Sequence, residues 1–121
     1  MNIFVSYTTR DDNVDKELLE RVSEIVSHYG HCYIDLLHNT ENDKQRHVEL
    51  MLSQSDLLIL IASSSIFTSN WVQWELDEAK KYRIPIITIE AKSGMSNILK
   101  NLKSTLAAND YLLSTIKSEK V

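Results

Sequence analysis

The chain is 121 residues long, 43% of its residues are apolar, and it has only 2 glycines and 1 proline, which together predict one compact domain over residues 1–121. Its one cysteine, Cys32, excludes a disulfide framework and a cysteine-based zinc site, and we expect neither a metal ion nor a resident cofactor. A net charge of -4 argues against duplex nucleic acid as a partner, and the apolar runs are shorter than the ~20 residues of a membrane span, so we expect a cytoplasmic protein with no export signal.

The first half of the chain alternates between strand and helix patterns. Residues 2–7, with the sequence NIFVSY, form an apolar run that ends at a polar turn, which predicts a strand followed by a loop. Apolar residues then recur at helical spacing from Val14 to Tyr29, and Gly30 stands where a left-handed helix cap is expected. Residues 32–35 predict a brief second strand, and residues 44–53 predict the next helix.

The second half repeats this alternation. Residues 56–62, with the sequence DLLILIA, are almost continuously apolar, which is typical of a strand that is covered on both faces. A helix is expected to begin near Trp71 and to be stopped by Pro85, and residues 84–90 predict a fourth strand of the same buried type. Residues 93–121 predict one or two helices, with room for a short edge strand near residues 111–113.

Strands that alternate with helices predict an α/β fold. We expect a flavodoxin-like three-layer sandwich around a central, mostly parallel sheet of roughly four or five strands. In such folds, ligands bind outside the carboxyl ends of the strands. The loops after Val5, Ile34, Ile61 and Ile89 are therefore the expected binding region.

Glu75 occupies an unexpected position on the helix that begins near Trp71. At about 100° per residue, Glu75 falls near the middle of the apolar arc of that helix. A glutamate there must be neutralised, paired with a basic residue of a neighbouring element, or directed into a polar opening beside the helix start, because burying an unpaired carboxylate costs several kcal/mol. Trp71 lies one turn earlier, and an aromatic surface beside a carboxylate suits a nucleobase or pyridinium joined to a ribose.

Three segments carry a family resemblance, namely FVSYTTRD, GHCYID and SSSIFTSNWVQWEL. Over roughly residues 2–90 the chain resembles a Toll/interleukin-1 receptor (TIR) domain. Ser69, Trp71, Glu75 and Leu76 match the S-x-W-x-x-x-E-L signature of that family. In TIR domains with enzymatic activity, this glutamate is the catalytic residue for cleaving the bond between nicotinamide and ribose in NAD.

The resemblance implies roles for particular residues. Glu75 would be catalytic, and Trp71 would frame the base of an NAD substrate. Tyr7, Thr8 and Arg10, on the loop that leaves the first strand, would face the nucleotide, with Arg10 serving the phosphates and Tyr7 a ring. The acceptor of the ADP-ribosyl group stays open: water, an internal hydroxyl or another nucleophile would give ADP-ribose, a cyclic isomer or a conjugate.

Departures from the family pattern favour an enzyme over a receptor adaptor. The loop LLHNTEND lacks the proline-glycine pair of many receptor-type members, and the final aromatic-tryptophan box is missing. The chain thus resembles standalone bacterial members of the Thoeris-like anti-phage type. This resemblance implies a separate effector that senses the product and self-association through TIR–TIR contacts.

The sequence also bears on two other functions. A non-catalytic TIR module that binds other TIR domains remains the alternative. A phosphoacceptor receiver needs an aspartate at the end of the central strand, but that strand ends in Ile61, Ala62 and Ser63. The sequence also lacks a glycine-rich phosphate-binding loop.

Overall fold

The computed structural model describes residues 1–119, with side chains as far as residue 116. Its four strands form one parallel sheet in the order β2-β1-β3-β4, which is the order of a flavodoxin-like sheet. The predicted α/β sandwich is therefore confirmed, with four strands in the described part of the chain. The strands are β1 (Asn2–Ser6), β2 (His31–Ile34), β3 (Leu57–Ala62) and β4 (Ile86–Glu90).

The helices connect these strands and flank the sheet. Three of them begin at a side chain that accepts a hydrogen bond from the first turn, namely Asp15, Asp43 and Ser69, as capping residues do. Within residues 1–119, no helix is long and apolar enough to cross a membrane. The helices are α1 (Lys16–Val26), α2 (Asp35–His38), α3 (Lys44–Ser53), α4 (Asn70–Lys81), α5 (Met95–Ala108) and α6 (Asp110–Glu119), and a 3-10 turn covers Ile66–Thr68.

The sheet is covered on both faces, which explains its almost continuously apolar strands. One core packs α1 and α5 against strand residues such as Ile3 and Ile59. The other packs α3 and α4 against residues such as Phe4 and Leu58. Successive residues of a strand point to opposite faces, so β1 and β3 contribute to both cores.

Two local predictions were wrong. Residues 111–113 belong to helix α6 rather than to an edge strand, because Leu113 packs into the core as part of a helical face while Tyr111 is exposed. The predicted segment 93–121 also includes residues 120 and 121, which lie outside the described residues.

Gly30 does not have the positive φ of a left-handed cap. A β-carbon at Gly30 would collide with the carbonyl oxygen of Met1, so close approach explains the glycine.

Helix α4 ends at Lys81, before it reaches Pro85, the residue that was predicted to stop it. The N–H of Arg83 donates to the carbonyl of Lys80 at 3.1 Å, and the N–H of Ile84 donates to the carbonyl of Ala79 at 2.8 Å. These two bonds form a Schellman motif, in which the residue after the cap takes a left-handed conformation. Arg83 takes it with φ 57. The backbone therefore turns away from the helix before the proline is reached.

Candidate functional site

A cleft opens at the carboxyl edge of the sheet, the region in which the sequence predicted a ligand. The loop after β1, the first residue after β2 and the first turns of α4 converge there because parallel strands end at the same edge. The cleft has a volume of about 190 Å³. It is lined by Tyr7, Thr8, Thr9, Asp35, Ser69, Trp71 and Glu75.

Glu75 is the deepest ionisable group of the cleft, with only 3% of its surface exposed. Its Oε1 accepts a hydrogen bond from the Ser6 hydroxyl at 2.7 Å, and its Oε2 accepts one from the indole Nε1 of Trp71 at 3.1 Å. None of the described basic side chains forms an ion pair with it. Of the alternatives left open by the sequence, Glu75 thus takes the polar opening rather than an internal ion pair.

The surroundings of Glu75 favour its protonated form. Burial raises the pKa of Glu75 to about 8, and the nearby carboxylate of Asp35 acts in the same direction. The hydrogen bonds from Ser6 and Trp71 oppose this rise because they stabilise the charged form. A positive charge in the cleft would act in the opposite direction and favour the ionised form.

Tyr7 and Asp35 form a wall of the cleft with side chains that come from outside α4. The Tyr7 hydroxyl accepts a hydrogen bond from the backbone N–H of Leu36 at 2.8 Å, and burial raises the pKa of Tyr7 to about 12, so its phenol stays neutral. Asp35 Oδ1 accepts hydrogen bonds from the Tyr33 hydroxyl at 3.0 Å and from the Asn39 amide at 2.7 Å. This wall is therefore held in place by the backbone and by neighbouring side chains.

Arg10 lies outside the cleft, unlike the other residues predicted for the site. Its exposed guanidinium donates to the backbone oxygen of Thr68 at 3.1 Å and to the Thr68 hydroxyl at 3.2 Å. Arg10 thereby ties the loop after β1 to the 3-10 turn. Its predicted contact with phosphates stays a prediction, and in this structure the guanidinium is bonded to Thr68, which directly precedes Ser69 of the cleft lining.

Three further residues belong to the site but were not predicted from the sequence, namely Ser6, Thr9 and Asp35. Ser6 is fully buried at the last position of β1, and Asp35 directly follows β2. A polar residue at the carboxyl end of an apolar strand is the signal that points to both. The Ser6–Glu75 contact spans 69 positions of the sequence, so only the fold brings these two residues together.

Larger hollows exist elsewhere on the described surface, but their linings contain no buried carboxylate. One of about 550 Å³ lies beside α3 and is lined by residues that include Arg46, His47 and Leu50. Its lining contains no buried ionisable group. We therefore place the candidate site at the smaller cleft, in which a buried carboxylate meets an aromatic ring.

A family model matches most of the chain. The model of the family described as Thoeris protein ThsB, TIR-like domain, matches residues 4–96. This range runs from β1 through β4 into the start of α5 and includes every residue that lines the cleft. No curated protein sequence matches the chain.

Proposed function

Because the chain belongs to the family of Thoeris protein ThsB TIR-like domains, we propose that it is an enzyme of anti-phage defence that consumes NAD by cleaving the bond between nicotinamide and ribose. One observation carries this proposal. The buried carboxylate of Glu75, free of any ion pair among the described residues, forms the floor of a cleft beside the indole of Trp71.

The residue types suit this reaction. Breaking the glycosidic bond builds positive charge on the ribose, as in an oxocarbenium ion, and a fixed carboxylate stabilises that charge or holds the ribose hydroxyls. Nicotinamide leaves as a neutral molecule, so the reaction needs no general acid. One negatively charged carboxylate is therefore sufficient, and the ionised form of Glu75 supplies it.

The cationic substrate itself helps to ionise Glu75. The pyridinium ring carries a positive charge, which lowers the pKa of a neighbouring carboxyl group. Glu75, whose pKa stands at about 8 without substrate, would then lose its proton when NAD binds. The charge that the reaction requires would appear together with the substrate.

The size of the cleft suggests how the substrate lies. A volume of about 190 Å³ is smaller than the ~300–1,000 Å³ of typical small-molecule sites. We propose that the nicotinamide and its ribose enter the cleft, with Trp71 against the ring, while the adenosine half stays outside. The phosphates would then lie at the rim, within reach of Thr8 and Arg10.

We also propose what happens to the ADP-ribosyl group after cleavage and which partners the protein has. Water as acceptor gives ADP-ribose, nicotinamide and a proton, whereas an internal hydroxyl or another nucleophile gives a cyclic isomer or a conjugate. A separate effector that senses this product, and self-association of the domain, are part of the same proposal. Because NAD is a substrate, no resident cofactor is required.

The test is to incubate the protein with NAD and follow nicotinamide by chromatography. We expect release by the wild type and a loss of roughly 100-fold or more for Glu75→Gln, since a group that acts only in the transition state is removed. Mass analysis then identifies the product. A non-catalytic interaction module predicts no release from either protein, even at concentrations that favour self-association, and that result would overturn the enzyme.

A further inference from the structure

The two hydrogen bonds to Glu75 come from partners that differ in exposure to solvent. Ser6 is fully buried and lies at the end of β1, where its backbone is paired in register with Leu60 of β3. Trp71 is 38% exposed and lines the cleft. The Ser6 hydroxyl is thus fixed by the sheet, whereas the Trp71 indole stands on a surface that a ligand reaches.

This difference distinguishes the two carboxylate oxygens. Oε1 is bonded to Ser6, which does not line the cleft, and Oε2 is bonded to Trp71, which does. A sugar hydroxyl that enters the cleft is able to replace the indole at Oε2. It cannot replace Ser6, which lies behind the carboxylate within the protein.

We propose that Ser6 is a positioning residue for Glu75: its hydroxyl holds Oε1 inside the protein so that Oε2 is presented to the ribose. This inference rests on the proposed function and assigns a role to a residue that does not touch the substrate. When the indole of Trp71 gives way to a sugar hydroxyl, Ser6 is the remaining described side chain that donates a hydrogen bond to Glu75.

The same hydrogen bond supports the charged form of Glu75. The titratable groups that face Glu75 from neighbouring elements are Asp35, Tyr7 and Tyr33. Asp35 opposes ionisation of Glu75, and both tyrosines remain neutral because burial raises their pKa values. Burial and Asp35 raise the pKa of Glu75, and the Ser6 hydrogen bond lowers it. Loss of the Ser6 hydroxyl therefore raises the pKa further, and the carboxyl group retains its proton to higher pH.

The test measures the titration of Glu75 and the reaction separately. The Glu75 carboxyl carbon is followed by NMR from about pH 5 to pH 10 in the wild type and in Ser6→Ala, without substrate. We expect the midpoint in Ser6→Ala to lie higher by about half a pH unit or more. Ser63→Ala is the matched control, because Ser63 is also buried, directly follows β3, and is not one of the two hydrogen-bond donors to Glu75.

Activity provides the second measurement. We expect kcat/KM for nicotinamide release to fall roughly 10- to 100-fold in Ser6→Ala near neutral pH, and the acidic limb of its pH profile to move in the same direction as the NMR midpoint. Ser6→Thr keeps the hydroxyl and should restore both measurements towards the wild type. Thermal unfolding of each variant separates these effects from a loss of folding, and Ser6→Cys, which is nearly isosteric and a weak donor, replaces Ser6→Ala if that variant does not fold.

An unchanged NMR midpoint together with an unchanged acidic limb in Ser6→Ala would overturn the inference. Equal effects of Ser6→Ala and Ser63→Ala would also overturn it, because they would indicate a general response to a lost buried hydroxyl. Absence of nicotinamide release from the wild type contradicts the proposed function instead. The NMR titration, which needs no substrate, still decides the interaction between Ser6 and Glu75.

Discussion

Glu75 is a residue whose surroundings determine its chemistry. Burial raises its pKa to about 8, and two neutral donors hold its oxygens. Trp71 is only able to donate a hydrogen bond, whereas the Ser6 hydroxyl can rotate to donate or accept. Both donors stabilise the ionised form of Glu75 and so oppose the rise in its pKa that burial causes.

The proposed reaction should depend on pH through this group. The ionised carboxylate is the form that stabilises a cationic ribose, and kcat/KM reports groups of the free enzyme. We expect kcat/KM for nicotinamide release to rise about tenfold per pH unit below the Glu75 pKa of about 8 and to level off above it. A profile that is flat from about pH 6 to 9 would contradict this role.

Replacing Glu75 should stabilise the protein at alkaline pH. The ordinary pKa is near 4.5, and the folded-state pKa is about 8, so the folded state binds more protons between these values and loses stability as pH rises through them. In Glu75→Gln, the amide oxygen can accept from Trp71 and the amide nitrogen can donate to Ser6. We expect this variant to unfold with a free energy on the order of 2 kcal/mol higher at pH 9 and equal at pH 4.

Urea denaturation of both proteins at the two pH values measures this difference. Asp77→Asn is the control, because Asp77 is an exposed carboxylate of the same helix and should not alter the pH dependence. A Glu75→Gln variant that is less stable than the wild type at pH 9 would show that the carboxylate is not destabilised by its surroundings.

The sequence predicted part of this site for physical reasons. The position of Glu75 on the apolar arc of α4 predicts its burial, and its spacing of four residues from Trp71 places the two side chains on one helix face. Helix periodicity does not identify a partner from another element. The contacts of Ser6 with Glu75 and of Arg10 with Thr68 join distant segments, and only the packed fold determines them.

At the scale of elements, α4 carries the site and has well-defined ends. Ser69 caps its first turn by accepting a hydrogen bond from Val72 at 3.3 Å, and the Schellman motif ends it with Arg83 at φ 57. A left-handed conformation costs a residue other than glycine roughly 1–2 kcal/mol. Helix α4 therefore ends with stored backbone strain at an exposed position.

Relieving this strain should stabilise the protein. We expect Arg83→Gly to raise the free energy of unfolding by about 0.5–1 kcal/mol, since glycine adopts positive φ freely and its greater freedom in the unfolded chain offsets only part of the gain. Arg83→Ala keeps the strain and serves as the control. Equal stabilities of the two variants in urea denaturation would contradict this assignment.

Boundaries of elements were less predictable than their order. Gly30 and residues 111–113 were misassigned because a single glycine and a short apolar run each suit more than one local structure. The collision of a Gly30 β-carbon with Met1 and the packing of Leu113 into the core are tertiary contacts. Local sequence patterns contain no information about either contact.

At the scale of the whole molecule, one sheet joins two cores. The alternation of strands and helices predicted this architecture, because nearly continuous apolar strands must be covered on both faces. Both tryptophans lie on α4, on one side of the sheet, whereas Leu102 of α5 is buried on the other side. The strands between them belong to both cores, so we expect the two sides to unfold together.

Leu102→Ala tests this coupling. Removing a fully buried leucine should lower the free energy of unfolding by about 2–5 kcal/mol, and the loss should appear equally in tryptophan fluorescence and in far-ultraviolet circular dichroism. Leu50→Ala, at a leucine that is 51% exposed, is the control and should have a much smaller effect. A fluorescence transition that stays unchanged while the dichroism transition moves would show that the two sides unfold separately.

The most direct test of the central claim is the initial rate of nicotinamide release from NAD by Glu75→Gln and Asp77→Asn, prepared and assayed together with the wild type. The claim predicts that Asp77→Asn retains the wild-type rate, while Glu75→Gln, although it is folded and at least as stable, loses roughly 100-fold or more. Equal rates for the two variants would contradict the assignment of Glu75 as the carboxylate that faces the ribose.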